Sequence, residues 1–218
     1  ALQPARLGAQ LEDAQRRRVV DVDRRLGQPL GGDRQLRVVA LRGEPGARLD
    51  FPAGMFAQLA GVLRGTWENA GHYHYSGGFW NNAVFTNHGT LTQNGPIRMQ
   101  SNSATEPPTT VVNAADGLWT LAQTVAGTSA TSAEAAGVTF TNFGHITRSG
   151  ANQIFFGTTP FDNRGTVETV AGSLTINGPL TQRGTTALTG GEWRVGTGTT
   201  LDLSVTALAQ NDADIIVD

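Results

Sequence analysis

Phe140-Thr-Asn142-Phe-Gly144-His-Ile146 carries the pattern that decides the fold: an aromatic residue, an asparagine, a glycine and an apolar residue, each separated by one other residue. The pattern recurs in Trp67-Glu-Asn69-Ala-Gly71-His-Tyr73, Phe85-Thr-Asn87-His-Gly89-Thr-Leu91 and Phe161-Asp-Asn163-Arg-Gly165-Thr-Val167. Val111-Val-Asn113-Ala-Ala-Asp-Gly117-Leu-Trp119 resembles a damaged fifth copy, with two extra residues before its glycine. Successive asparagines are 18, 26, 29 and 21 residues apart. Short strands and turns that repeat at this spacing predict a β-solenoid, in which each repeat forms one coil.

The copy that spans residues 85–92 illustrates why these residue types repeat. Side chains alternate across a strand, so Phe85 points into a core while Thr86 points outward. Asn87 comes at a corner, where its amide can bond backbone groups that the bend leaves free. We expect Gly89 to supply a positive φ at that corner. Stacked coils would then place the asparagines in one internal column whose amides bond along the solenoid axis. The alternative is that each Asn-x-Gly marks an unrelated hairpin turn.

The composition favours strands and limits the possible partners. Of 218 residues, 39% are hydrophobic, 16% are charged and 28 are glycine, which fits short strands and tight turns better than helices. The formal net charge of −2 provides no global field for binding nucleic acid. No apolar run is long enough to span a bilayer, so we expect no direct membrane insertion of this segment. Cysteine is absent, which excludes disulfides and thiolate metal sites.

The chain divides into an Arg-rich region, residues 1–50, and a repeat region, residues 51–218. The first region lacks the motif and is predicted to form degenerate coils or a cap, with a strand at Val19–Asp23. In the second region, residues 101–110 and 124–137 are predicted to be loops inserted between coils, which would explain the two longest steps between motifs. The final residues, Asp214-Ile-Ile-Val-Asp218, have the pattern of a strand and not of a polar cap. We therefore expect the chain to be a fragment of a longer protein.

The repeats resemble those of a known class of proteins. The segments Phe140–Gly150, Phe161–Glu168 and Gly172–Ile176 are similar to the Phe-Asn-Asn-x-Gly-Thr-Leu/Val repeats of large bacterial exoproteins, namely autotransporter passengers and filamentous-haemagglutinin-like adhesins. The resemblance covers roughly residues 50–218. It implies a right-handed parallel β-helix, export to the cell surface or the extracellular space, and a role as shaft or display surface. Right-handedness also agrees with the general rule for crossovers between parallel strands.

Few residues suggest catalysis or metal binding. His72, His74 and His88 could meet and bind zinc or nickel, but solvent-exposed histidines on an outer strand face are the simpler interpretation. Two carboxylate pairs, Asp21/Asp23 and Asp212/Asp214, could flank a sugar cleft only if each pair converged, and surface charge or a turn explains them equally well. We therefore predict no catalytic residue, no metal site and no cofactor.

The densest aromatic cluster spans residues 67–85, and alternation from Phe85 leaves Trp80 difficult to place. If Trp80 were exposed, it could stack on a sugar ring, although packing in the core is the commoner role of such residues. We predict a non-catalytic structural or adhesive shaft whose partners are host or environmental glycans or surface proteins. The alternatives are a carbohydrate-active β-helix, either a polysaccharide-degrading enzyme or a glycan-binding module, and a phage or secretion-system fibre.

Overall fold

The computed structural model of the chain describes residues 40–205 and 207–218. Every regular element in these two ranges is a β-strand, and neither range contains a helix. The all-β prediction is therefore confirmed for this part of the chain. The predicted strand at Val19–Asp23 and the pair Asp21/Asp23 lie outside the described residues.

The strands follow one another in eight circuits, which we call coils 1 to 8. Coils 1 to 4 contain β1 (Ala40–Leu49) and β2 (Ala57–Gln58); β3 (Val62–Asn69) and β4 (His72–Tyr75); β5 (Phe79–Asn87) and β6 (Thr90–Gln93); and β7 (Ile97–Gln100), β8 (Thr110–Asn113) and β9 (Leu118–Leu121). Coils 5 and 6 contain β10 (Thr128–Ala133), β11 (Thr139–Asn142) and β12 (His145–Arg148); and β13 (Gln153–Phe156), β14 (Phe161–Asn163) and β15 (Thr166–Thr169). Coils 7 and 8 contain β16 (Ser173–Ile176), β17 (Ala187–Leu188) and β18 (Glu192–Val195); and β19 (Thr200–Asp202), β20 (Gln210–Asn211) and β21 (Asp214–Val217).

Corresponding strands of successive coils pair in parallel and build two large sheets. The 8-stranded sheet has the order β2-β4-β6-β9-β12-β15-β18-β21. The 11-stranded sheet begins as β1-β3-β5 and then divides: β7 pairs with the first part of β5, and β8 pairs with its second part. A small third sheet joins β17 to β20. Curled parallel sheets joined in this way are consistent with a β-solenoid.

The division of the 11-stranded sheet is centred on Asn82. This residue has a φ of 51°, a left-handed conformation that asparagine adopts more readily than most residues. Its side chain is buried and anchors the loop of residues 101–109, accepting hydrogen bonds from the amides of Asn102 (2.9 Å) and Ser103 (3.0 Å) and donating to the carbonyl of Pro107 (2.9 Å). The predicted insertion at 101–110 is thus a strand-free segment that ends where β8 begins at Thr110.

One insertion predicted from the sequence differs in the structure. Residues 124–137 are not one loop, because β10 lies within them and pairs in parallel with both β7 and β13. The inward residues of β10, Ala130 and Thr131, are small, so the segment lacks the alternation with large apolar residues that marks a strand. Residues 40–49, from the region predicted to form degenerate coils or a cap, form β1, which buries Leu41, Ala47 and Leu49 and pairs with β3 on both sides of an irregularity between Gly43 and Ala47.

A column of asparagine side chains runs through coils 2 to 6 at the corner between the two large sheets. Nδ2 of each of the first four asparagines donates to Oδ1 of the asparagine in the next coil, at 2.7, 2.7, 2.8 and 2.8 Å in succession. Each Nδ2 also donates to a backbone carbonyl of the following coil, as Asn142 does to Thr166 O at 3.1 Å. All five side chains are fully buried: Asn69, Asn87, Asn113, Asn142 and Asn163. The predicted column is therefore present, and it includes the damaged fifth copy.

The motif glycines serve a different purpose from the one expected. None of Gly71, Gly89, Gly144 and Gly165 has a positive φ. A Cβ atom at Gly89 would lie 2.2 Å from Gly71 O, and one at Gly165 would lie 2.2 Å from Gly144 O. These distances are far shorter than any tolerated contact, so glycine is required because the corner backbones of successive coils touch.

Aromatic rings form a second continuous feature inside the stack. Neighbouring ring centroids are 4.5 to 6.5 Å apart, within the range of favourable aromatic pairs. This aromatic spine links coils 1 to 6 and consists of Phe51, Phe56, Tyr73, Trp80, Phe85, Trp119, Phe140, Phe156 and Phe161. Because each ring contacts rings of neighbouring coils, the core is held together along the axis as well as within each coil.

The opposite corner of the 8-stranded sheet is also stabilised by buried polar side chains. Gln93 Nε2 donates to Gly95 O at 2.9 Å and to Ala130 O at 2.6 Å. The fully buried Arg148 donates from Nη1 to Leu121 O at 2.7 Å and from Nη2 to Asn152 O at 2.5 Å. Burial lowers the pKa of Arg148. These donors bind backbone carbonyls at the bend, and Leu121 O also accepts from the amide of Ser149 at 3.1 Å.

Replacing Asn142 by alanine should lower the free energy of unfolding by about 1–3 kcal/mol, because Asn113 Nδ2 and Thr166 O lose buried partners. The measurement is equilibrium unfolding in urea. Asn211→Ala is the matched control, since Asn211 is exposed and bonds only to Ala213. Equal unfolding midpoints for the two variants would contradict a stabilising role for the column.

The two tyrosines of the chain, Tyr73 and Tyr75, should not ionise while the protein is folded. Burial raises the pKa of both hydroxyls above the ordinary value of 10.0. A group whose pKa is raised in the folded state contributes its full stability below its unfolded pKa, so stability should fall as the pH rises above about 10. Tyrosinate absorbance should therefore appear together with the loss of far-ultraviolet β signal. Tyrosinate formation in a chain that keeps this signal would show that the rings are accessible.

Candidate functional site

The outward side chains of the 8-stranded sheet form two columns, because the strands pair without register shifts between β4 and β21. The first column contains His72, Thr90, Leu118, His145, Thr166, Glu192 and Asp214. The second contains His74, Thr92, Thr120, Thr147, Glu168, Arg194 and Ile216. The middle coils therefore present an almost uncharged, threonine-rich surface, while coils 5 to 8 are charged.

The charged part of this face is a network of paired groups. His145 Nε2 lies 3.0 Å from Glu168 Oε2, and Thr166 Oγ1 donates to Glu192 Oε2 at 3.2 Å. Arg194 donates to Glu192, and this hydrogen bond holds the pKa of the carboxyl below its ordinary value. All of these groups are solvated, so each pair adds little to stability. The network joins neighbouring coils at the surface. The carboxylates of Glu168 and Glu192 are both hydrogen-bonded within it.

The three histidines considered as metal ligands do not converge. His74 Nε2 is 3.0 Å from both Ser76 Oγ and Asn94 Nδ2, while His88 Nδ1 is paired with Asp116 Oδ1 at 2.8 Å. His72 and His74 are outward residues of β4, whereas His88 lies at the Asn corner after β5. Within residues 40–205 and 207–218, no group of three or more histidine and carboxylate side chains is arranged to hold a metal ion.

Two shallow depressions lie beside the Asn corner. The larger, of about 470 Å³, is bordered by Asp50, Phe51, Pro52, Ala70, Gly71, His72, Gly89 and Thr90. The smaller, of about 290 Å³, is bordered by Arg164, Gly165, Thr166, Gly190, Gly191, Glu192, Asp212 and Asp214. The second brings Asp212 and Asp214 to one wall. Both depressions are open to solvent, so neither excludes water as an acid–base site would.

Trp80 is not available for contact with a glycan. Its side chain is fully buried, and its ring packs against Phe85 at 4.5 Å and Tyr75 at 5.9 Å between centroids. The reason lies in Asn82, whose left-handed conformation breaks the alternation along β5. Counting back from the inward Phe85 would leave Trp80 outside, but the break turns it inward.

Phe143 is the aromatic side chain that the surface does present. It is 43% exposed, and the remaining Phe, Tyr and Trp side chains of the described residues are buried or half-buried. The ring projects at the Asn corner between β11 and β12, with the guanidinium of Arg164 stacked 5.6 Å from its centroid. The sequence pattern missed Phe143 because it occupies the variable position of Asn-x-Gly. Its position beside two polar sheet faces makes it the best candidate for a binding contact.

Comparisons with protein-family models, curated proteins and solved structures found no match for this chain. The resemblance to bacterial exoprotein repeats therefore rests on the motif alone. Across residues 40–205 and 207–218, no helix is long and apolar enough to cross a membrane.

Proposed function

We propose that the chain is a right-handed parallel β-helix that serves as a rigid, non-catalytic shaft of a secreted or surface-attached bacterial protein. The observation that carries the proposal is the unbroken asparagine column through coils 2 to 6. Such a column stabilises the contact between coils and not a cavity within them. The aromatic spine also stabilises the contacts between successive coils. The most specific residues of the repeat therefore hold the coils together along the axis.

The outer surface supports this proposal in a second way. The motif fixes inward residues and leaves the outward ones free to vary, as Ala70, His88, Phe143 and Arg164 illustrate at equivalent corner positions. A shaft needs a constant interior and tolerates a variable exterior, on which loops such as 101–109 can be displayed. Surface proteins or glycans of a host or of the environment are the partners that we propose for this exterior.

A shaft should tolerate a change of length by one whole coil. Duplicating residues 143–163, one motif-to-motif step of 21 residues, should add one coil and give a folded protein whose unfolding midpoint is not lowered. The matched control duplicates residues 143–152 alone, which shifts the register of every later strand and should cause misfolding. Far-ultraviolet circular dichroism and urea unfolding provide the measurements. Misfolding of the whole-coil duplication would contradict a modular stack.

A carbohydrate-binding role is the second candidate, and the exposed Phe143–Arg164 pair favours it. An open aromatic ring can stack on the apolar face of a sugar, and a guanidinium can bond its hydroxyls. We expect weak binding of one glycan on an array, abolished by Phe143→Ala and retained by Phe143→Trp. The control is Phe155→Ala. Phe155 is half-buried in β13 of the 11-stranded sheet, away from the Asn corner, and its removal should leave binding unchanged. Binding that survives Phe143→Ala would place the contact elsewhere.

The absence of catalysis can be tested directly. Glycosidic cleavage requires two positioned carboxylates, or a base with a charge-neutralising partner, and Glu168 and Glu192 are already paired with His145 and Arg194. The chain should therefore release neither reducing ends nor unsaturated products from pectins, alginates, xylans or chitin, with or without calcium. Turnover that disappears in Glu192→Gln or Asp212→Asn would identify an enzyme and overturn the shaft proposal.

A further inference from the structure

The chain contains two Asn-Gly-Pro sequences, Asn94-Gly95-Pro96 and Asn177-Gly178-Pro179. Both asparagines are exposed and both follow a strand, so they have the same local chemistry. Asn-Gly is the dipeptide in which the amide nitrogen of the glycine can most easily reach the asparagine side chain, because glycine places no Cβ in the way. The surroundings of the two sequences differ in two respects that bear on this reaction.

The first difference concerns the attacking nitrogen. The amide of Gly178 donates to Phe156 O at 3.3 Å, so attack by this nitrogen requires the loss of a hydrogen bond. Among the residues that the structure describes, the amide of Gly95 has no hydrogen-bond acceptor, whereas the neighbouring Asn94 amide donates to Tyr75 O at 2.7 Å. The Gly95 carbonyl is held by Gln93 Nε2 at 2.9 Å, which keeps the peptide in place.

The second difference concerns the leaving group. Asn94 Nδ2 lies 3.0 Å from Nε2 of His74, in the preceding coil. The imidazole is itself positioned, since the same nitrogen lies 3.0 Å from Ser76 Oγ. The Asn177 side chain accepts one long hydrogen bond at Oδ1, from Ser204 Oγ at 3.5 Å, and among the described residues no side chain lies within hydrogen-bond distance of its Nδ2. In the intact side chain the amide Nδ2 donates to Nε2. When Cγ becomes tetrahedral, Nδ2 acquires a lone pair, and an imidazole beside it can then act as general acid toward the departing nitrogen.

We propose that Asn94 is a site of spontaneous deamidation, promoted by His74 across the contact between coils 2 and 3. The Gly95 nitrogen attacks Asn94 Cγ and loses its proton to solvent, forming a five-membered tetrahedral intermediate. Nδ2 then accepts a proton from His74 Nε2, which takes that proton from solvent. The Cγ–Nδ2 bond breaks, ammonia leaves, and the ring becomes an imide. Water opens the imide to aspartate or isoaspartate.

The product would alter the outer face of the 8-stranded sheet. A carboxylate at position 94 adds one negative charge to a chain whose formal net charge is −2. It would stand beside His74 at the uncharged end of this face, so an aged molecule would carry a histidine–carboxylate pair that the fresh molecule lacks. Isoaspartate would also lengthen the backbone at a tight corner, where a Cβ atom on Gly95 would lie 2.0 Å from Ser76 O.

Peptide mapping by mass spectrometry of the folded protein, aged at neutral pH, tests the proposal. Asn94 should deamidate faster than Asn177 by on the order of tenfold, less than a fully positioned acid contributes in an enzyme. In His74→Gln, a conservative change of an outward residue, the rate at Asn94 should fall toward that at Asn177, and the rate at Asn177 should not change. In urea, where the fold is lost, the two sites should react at similar rates in both variants.

Two outcomes would overturn the proposal. Equal rates at Asn94 and Asn177 in the folded protein would show that neither the free amide nor the imidazole accelerates the reaction. A faster rate at Asn94 that persists in His74→Gln would assign the effect to backbone geometry and remove His74 from the chemistry. Circular dichroism of His74→Gln verifies that the coils remain folded, so that loss of structure cannot imitate either result.

Discussion

The hydrogen bond from one asparagine amide to the next is the interaction on which the rest of the structure depends. The corner between the two sheets must turn the chain sharply, and polar groups buried at such a turn need hydrogen-bond partners. Each buried Nδ2 serves two acceptors, the Oδ1 of the next asparagine and a carbonyl of the following coil, as Asn142 does. A fully satisfied buried amide is compatible with a dry interior, whereas an unpaired one is costly. The corner can therefore be both tight and buried.

This constraint explains the remaining features of the coil. For the amides to meet, the corner backbones must approach so closely that only glycine fits, two residues after four of the asparagines and four residues after Asn113. The inward residues two positions before the asparagines are then aligned from coil to coil, and three of them, Phe85, Phe140 and Phe161, belong to the aromatic spine. The insertion at 101–109 leaves the column undisturbed because it lies between β7 and β8, away from the Asn corner. Variation in coil length is thus confined to places where it does not shift the asparagine register.

The sequence allowed the column to be predicted because the motif specifies both the turn and the residues that flank it. Asn113 joins the column in the structure despite the two extra residues, since Val111 before it and Trp119 after it keep their inward positions. Trp80 could not be placed, because a single left-handed residue, Asn82, reverses the alternation on which such predictions rely. β10 escaped detection for another reason. Its inward side chains, Ala130 and Thr131, are small, so its sequence does not show the large apolar residues by which a strand is recognised. Only its pairing with β7 and β13 identifies it as a strand. Phe143 was overlooked because the variable position of a motif carries no structural signal.

The asparagine column has a direction, since every amide donates toward higher residue numbers. Its bond dipoles therefore add along the axis, and mutual polarisation strengthens each bond beyond its value in an isolated pair. At the Asn69 end the carbonyl oxygen is buried without a donor, and at the Asn163 end the amide nitrogen reaches the carbonyl of Glu192 at 3.4 Å. A coil can extend this column only with the same polarity, because the opposite orientation would set oxygen against oxygen or amide against amide. The stack therefore has a polarity: its two ends differ electrostatically, although its coils have the same architecture.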